Sequence, residues 1–417
     1  MSASTDTVIG VIEANVEAAH EAPAPRVSAR SGLLRNNAFV ALAGARAISY
    51  AGDQIAAVAL VLLIAKDHPA TAVGGLLLAE SLPMLLSTHA GVIADRIEAR
   101  KLMIACQLGQ AVIFAGVTIW LPPYAALLAL LVVASLLGTL LRSATQVAVK
   151  AVVPDDQLMP ANAMLGTALW SAVILGPAIG GALAGLAGPR LALAVDTGTF
   201  LVSAATLLVL PLIPRTEPDA SDSGGAAAAL RYAFADPVLR GLIVSMAMMV
   251  AFAGVDNVGL VFLVRDTLGG GSAAYGAAMA VFGIGMVVGS AVLVRYANWR
   301  AERLLLGSFV ATAAGTAGLA VAPSLAFVYP AQIVGGAANG VDVAAQTTLV
   351  QQRTPSAMLG RMSGAVNSAV AVGFLAAYLG GGTLVELTSP RTAFLVAAVG
   401  TLGAVAVAKP VWATPST

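Results

Sequence analysis

Long apolar runs recur along this chain, each closed by a short polar or turn-forming break. A helix rises ~1.5 Å per residue, so roughly 20 apolar residues cross a ~30 Å hydrocarbon layer. The runs predict helices near 38–64, 71–93, 102–121, 124–147, 160–187 and 190–212, then near 240–264, 275–297, 304–322, 325–350, 362–386 and 391–409. Pro122-Pro123 divides the third from the fourth, and Pro189-Arg190 and Pro390-Arg391 divide the runs around them, because proline disfavours continuing helix. Between the two sets lies PRTEPDASDSGGAAAALRYAFADP, a linker whose AAAALRYAF portion suits a short interfacial helix. The pattern predicts an all-α polytopic membrane protein with 12 transmembrane helices in two six-helix bundles. It divides into a cytoplasmic tail over 1–37, a first bundle over 38–212, a cytoplasmic linker over 213–239, a second bundle over 240–410 and a tail over 411–417.

Composition agrees with membrane immersion: 59% of residues are hydrophobic, 10% are charged and the mean hydropathy is +0.88. Soluble domains carry about 25% charged residues to cover their surface. A net charge of +1 implies no nucleic-acid partner. Sixteen Lys and Arg, from Arg26 through Lys409, fall on the side that an even span count assigns to both termini, while Lys66, Arg190, Arg265 and Arg391 fall opposite. That asymmetry places both termini in the cytoplasm of a multi-pass protein of the cell inner (plasma) membrane. The polar, proline-containing residues ahead of the first span read as a cytoplasmic tail and lack a signal-peptide layout. The single cysteine, Cys106, excludes an intramolecular disulfide.

The first half recurs at an offset of 201 to 202 residues: Ala51-Gly52 with Ala253-Gly254, Gly74 with Gly276, Pro154 with Pro355, Leu158 with Leu359, and Gly180-Gly181 with Gly381-Gly382. Six spans per copy make this a parallel repeat about an axis along the membrane normal, with substrate expected between the halves.

The segment GVIADRIEARK, between the second and third spans, carries a glycine, an acid-arginine pair and a following basic residue at Gly91, Asp95, Arg96 and Arg100. With it, residues 38–410 resemble the major facilitator superfamily, from whose loop pattern Glu98 and Ala99 depart. The resemblance implies a conformational latch at these four residues. GPAIGG, with Gly176, Pro177, Gly180 and Gly181, is similar to the core of a fifth-span motif of proton-exchanging exporters, and it also suits close helix packing. ISYAGDQIAAVAL, LPMLLSTHAGVIADR, VDTGTFLVSAA and LRYAFADPVLRGLI together resemble a branch that includes macrolide and siderophore exporters and lipid-handling relatives.

Ionisable residues within spans are costly in lipid and mark function by default. Asp53, Glu80, Asp256 and Asp342 are therefore proton-coupling candidates, with Asp53 and Asp256 leading; a structural ion pair or interhelical hydrogen bond is the competing role for each. Arg46, Tyr50, Arg142, Phe252 and Asn257 are candidates for the cavity wall or for charge pairing. Asp196, a few residues inside the outer end of the sixth span, reads first as a structural residue, with a wet position at the rim as the alternative. His89 reads as a packing residue, and His20, His68 and His89 do not form a metal-ligand pattern.

These features predict a secondary transporter that works as a monomer without a cofactor, exchanging a small amphipathic molecule for protons. Import or facilitated passage of a metabolite or lysophospholipid is the alternative. No GxxxxGK[ST] sequence is present to bind ATP.

Overall fold

Backbone amides and carbonyls find no partner in hydrocarbon, and helix is the way a single segment satisfies its own. The computed structural model describes residues 33–86, 90, 93–94, 96–154, 157–213, 231–295, 300–354, 359–409 and 411. Its main elements are α1 (Asn37–Asp67), α2 (Ala70–Leu86), α3 (Ala99–Trp120), α4 (Tyr124–Val152), α5 (Leu158–Ala187) and α6 (Pro189–Leu207). The second half supplies α7 (Pro237–Thr267), α8 (Ser272–Arg295), α9 (Ala301–Val321), α10 (Leu325–Arg353), α11 (Leu359–Leu387) and α12 (Pro390–Val407). Among the described residues, 10 helices are long and apolar enough to cross a membrane. Outside that set are α2, which is short, and α10, which carries Gln332, Asn339, Asp342 and Gln346 along its length.

Local chemistry sets the helix ends. Pro189, Pro237 and Pro390 each occupy the first turn, where a missing amide costs no hydrogen bond. The Asp236 and Ser389 side chains cap α7 and α12. Asn36 both caps α1, accepting from Phe39 N at 3.1 Å, and donates to Val152 O at 2.8 Å, tying the start of α1 to the end of α4. Glu98 accepts from the amides of Arg100, Lys101 and Ile213, so it joins the start of α3 to the chain leaving α6. A cap of this kind contributes ~1 kcal/mol.

Three elements differ from the sequence expectation. The second span changes to 3₁₀ geometry over Leu82–Leu86, because Pro83 has no amide to continue the α pattern. The sixth ends at Leu207, short of 212. The seventh starts at Pro237 and is not continuous: Pro237–Ala253 gives way at Gly254 and Val255, resumes over Asp256–Phe262 and closes in a π-helical turn over Leu263–Thr267. A Cβ on Gly254 would come within 2.8 Å of the Ala377 Cβ on α11, so glycine is what lets the break lie against that helix.

The apolar core is shared at one end of the molecule and divided at the other. At the end away from the termini a single cluster takes residues from both halves, including Leu60, Val73, Phe200, Val261, Tyr275 and Phe394. At the terminal end one cluster holds only first-half residues such as Phe39, Met103 and Leu141, and another holds only second-half residues such as Leu242, Phe309 and Leu349.

Two seams join the halves at the shared end, α5 against α8 and α2 against α11. Both are built from repeat-related glycines. A Cβ on Gly276 would overlap Pro177 O and lie 2.8 Å from Gly181 Cα. At the other seam a Cβ on Gly74 would overlap Tyr378 O, and one on Gly382 would lie 2.9 Å from Thr71 Cα. Gly74 and Gly276, Pro177 and Tyr378, and Gly181 and Gly382 are separated by the same 201 to 202 residues as the repeat, so one contact is made twice. Thr71 Oγ1 also donates to Glu386 Oε2 at 2.8 Å across the second seam.

Gly276→Val should wedge the first seam apart. With spin labels on Lys66→Cys and Thr267→Cys, at the ends of α1 and α7, the distance distribution should lengthen in that variant. It should stay unchanged in Gly307→Val, where a Cβ meets nothing within 4 Å. An unchanged distribution for Gly276→Val would mean that the seam does not hold the halves together.

Candidate functional site: polar groups between the halves

Beneath the seams lies a cavity of ≈ 320 Å³. Gln54 of α1 and Val173 and Pro177 of α5 line it from the first half. The second half contributes Asp256 and Asn257 at the α7 break, Gln332 and Asn339 of α10, and the rings of Phe282, Phe374 and Tyr378. Gln332 and Asn339 are two helical turns apart and so share a face of α10.

Among the described residues, Asp256 is the only acid in this wall. Its Oδ2 accepts from Gln332 Nε2 at 3.3 Å, whereas Oδ1 is buried with no hydrogen-bond partner among the described residues. Asn257 Nδ2 donates to Gly254 O at 3.2 Å, bracing the break.

A second group sits on the first half. Arg46, Tyr50 and Asp53 follow one another at helical spacing on α1, and Arg142 of α4 is within electrostatic reach of all three. Arg46 is buried at 8% exposure, Asp53 is partly buried and Arg142 is exposed. Glu80 on α2 interacts electrostatically with Asp53 and with Tyr275 and Tyr378 from the other half. Among the described residues neither Asp53, Glu80, Asp256 nor Asp342 has an arginine or lysine within ion-pair distance.

Asp342 belongs to neither group. It is 2% exposed between α9 and α10, where Ser308 Oγ donates to Oδ1 at 3.3 Å and Gln346 donates to Oδ2. Phe252 also turns away from the cavity: its ring fills the space that a side chain at Gly400 of α12 would need. Phe282, Phe374 and Tyr378 supply the aromatic surface of the cavity. Of the two readings of Asp196, the structure favours the structural one: it is fully buried in the contact between α1 and α6, with Oδ1 accepting from Thr199 Oγ1 at 3.2 Å and Oδ2 without a partner among the described residues. Depth along the span suggested a wet rim, but the face it occupies, against Gly52, decides its surroundings.

GPAIGG faces two ways. Gly176 and Gly180 admit the backbone and side chains of α1 at Gln54 and Ile55, while Pro177 and Gly181 meet α8 at the seam. Of the expected latch residues, Gly91 and Asp95 lie outside the described residues, as does His89. Arg96 is exposed, and Arg100 donates to Leu208 O at 2.8 Å, within its own half. No His, Cys, Asp and Glu cluster among the described residues has the makings of a metal site.

Two apolar seams over a polar cavity, divided at the far end, are the architecture of a transporter that opens to alternate sides. The transmembrane secretion effector family matches residues 29–415. The chain belongs to that family. It is a secondary transporter of the major facilitator type, and the efflux role carried by the family description extends to it. It is 26% identical over 380 residues to the uncharacterised MFS-type transporter YfiS of Bacillus subtilis (strain 168), covering 87% of this chain and 91% of that protein. Over 162 residues it is 31% identical to the putative bacilysin exporter BacE of Bacillus amyloliquefaciens, a match spanning 38% of this chain and 40% of that one. Among solved structures it shares its fold with the nucleoside transporter NupG, at a TM-score of 0.73 and 13% identity, with 91% of this chain and 100% of that one covered. A bacterial homologue of the iron transporter ferroportin, in an inward-facing state, gives 0.68 at 17% identity over 90% of this chain and 98% of that one.

The transporter's intramembrane acids should separate by their surroundings. Asp342→Ala removes the acceptor of the Gln346 amide, while Ser308 keeps Leu305 O at 2.7 Å, and should cost about 1–3 kcal/mol of stability, read as a lower melting temperature in detergent. Asp53→Asn, at a partly exposed site, should leave that temperature nearly unchanged. Equal melting temperatures for Asp342→Ala and the unaltered protein would remove the structural role assigned to Asp342.

Proposed function

We propose that the protein is a proton-coupled exporter of an amphipathic small molecule, with twelve spans in two six-helix bundles and both termini in the cytoplasm. The observation that carries this reading is the core that both halves share at one end and divide at the other, around a cavity with Asp256 in its wall. With the termini inside, the divided end opens to the cytoplasm, which makes this the inward-open state of an alternating-access cycle. Export is supported by the family's description as a secretion effector and by the exporter name given to BacE.

Asp53 is the leading proton carrier. Burying an isolated carboxylate is expensive, so protonation from the outside favours states that shut it away, and a return to water releases the proton. Arg46 and Arg142 stabilise the negative form, and only Arg46 rides on the same helix. Any movement of α4 relative to α1 therefore changes the field at Asp53. Glu80, within electrostatic reach of Asp53 and of Tyr275 and Tyr378 of the opposite half, is the second candidate. Cargo entering the cavity from the cytoplasm touches α1 and α5 on one side and α7, α8 and α10 on the other, so its binding bears on the angle between the halves.

In inside-out vesicles carrying the protein, adding a transported amphipathic compound should move protons out of the lumen, and Asp53→Asn should weaken that movement about ten-fold or more. Transport that proceeds equally with the proton gradient collapsed would overturn proton coupling and favour facilitated passage.

A further inference from the structure

The cavity between the halves is electrically one-sided. None of its lining residues is Lys, Arg or His, and its one charged group, Asp256, holds an oxygen with no hydrogen-bond partner among the described residues. The break in α7 leaves backbone acceptors beside this acid. In an unbroken helix the amides of Val255 and Asn257 would bond to the carbonyls of Ala251 and Ala253, but here they turn to Phe252 O at 3.2 Å and Gly254 O at 3.1 Å. The carbonyls of Ala251 and Ala253 thus lose their in-helix donors, and Ala253 lines the cavity. The Pro237–Ala253 piece ends here and the Asp256–Phe262 piece begins, so their opposite end charges oppose one another and the Asp256 carboxylate is the source of negative potential at this point.

The remaining wall is unlike a metal-ion cage. Gln332 and Asn339 offer amide groups along one face of α10, while Phe282 and Phe374 present aromatic surface to the same space. A hard inorganic cation gains by being surrounded with oxygen. An ammonium group attached to an apolar body gains from a single counter-ion, a few amides and ring faces. At ≈ 320 Å³ the space is at the small end of the range for small-molecule sites.

We propose that this cavity takes the ammonium end of an amphipathic organic amine, with Asp256 as its counter-ion. The assignment rests on the transport reading above and refines it, giving Asp256 to the cargo and leaving proton coupling to Asp53 and Glu80. Gln54 and Pro177 bring the first half to the same cavity, so a bound amine reports its presence to both halves.

The test is equilibrium binding to the full-length protein in detergent, with no gradient, using 4-phenylbutylamine and its neutral counterpart 4-phenylbutan-1-ol. The amine should bind at least ten-fold more tightly than the alcohol. Asp256→Asn should reduce the amine to the alcohol's level while leaving the alcohol unchanged, and Asp256→Glu should restore part of the preference. Sodium chloride titrated alone should give no saturable stabilisation that depends on Asp256. Equal binding of amine and alcohol to the unaltered protein overturns the proposal even if Asp256→Asn fails to fold. So does a preference that survives in a folded Asp256→Asn, or Asp256-dependent saturation by sodium. Failure of proton coupling would silence the vesicle measurement but leave this charge preference intact, so the two readings fail separately.

Discussion

Two helices can touch backbone to backbone only where a side chain is missing, and this fold uses that allowance at the α5–α8 and α2–α11 seams. Within lipid there is little hydrophobic gain in bringing one apolar helix to another, so close packing and hydrogen bonding must hold helices together. Gly181 with Gly276, and Gly382 with Thr71 beside Gly74, supply this contact at two repeat-related places. Each seam is narrow and confined to one end. The halves are therefore joined firmly there and nowhere joined by the cores at the terminal end, an arrangement suited to rocking.

Polar groups are arranged around the same constraint. Several that bind one helix to its neighbour within a half are satisfied: Asp342 by Ser308 and Gln346, Ser203 by Ala45 O, and Tyr124 by Ala72 O. Asp196 inside the first half and Asp256 at the cavity each keep an oxygen without a partner among the described residues, and Asp53 feels two arginines without an ion pair to either. A buried group without a partner costs stability, and at Asp256 the cost falls where cargo is expected to arrive.

Much of this was legible in the sequence. The run lengths give the helices, since a lipid span has almost no other way to be built. The spacing of Gly74, Gly276, Gly181 and Gly382 is visible in the repeat, although the sequence does not say that these four form the joints. Asp256 stands out as an acid within an apolar run. The α7 break beside it is foreshadowed by Ala253-Gly254 followed, after Val255, by Asp256-Asn257, two polar residues where an unbroken span has no use for them. Gln332 and Asn339, spaced at two turns in α10, carried a signal that acids alone overshadowed. What stays hidden is the direction a residue faces. Phe252 lies one turn from the cavity acid yet packs on Gly400, and Asp196 lies near a span end yet is sealed against Gly52. Both outcomes are fixed by the rotation of one helix against another, which periodicity constrains weakly when apolar residues cover every face.

The central claim is that the α5–α8 seam must open for cargo to leave. A Cβ at Gly185 would lie 3.8 Å from the Ser272 Cβ, a separation close to the ~3.8 Å typical of disulfides. Gly185→Cys paired with Ser272→Cys, in a background where Cys106 is replaced, should cross-link under oxidation. Transport measured before and after oxidation is then the direct test: it should stop when the bond forms and return when the bond is reduced. Transport continuing at full rate with the cross-link complete would contradict the account.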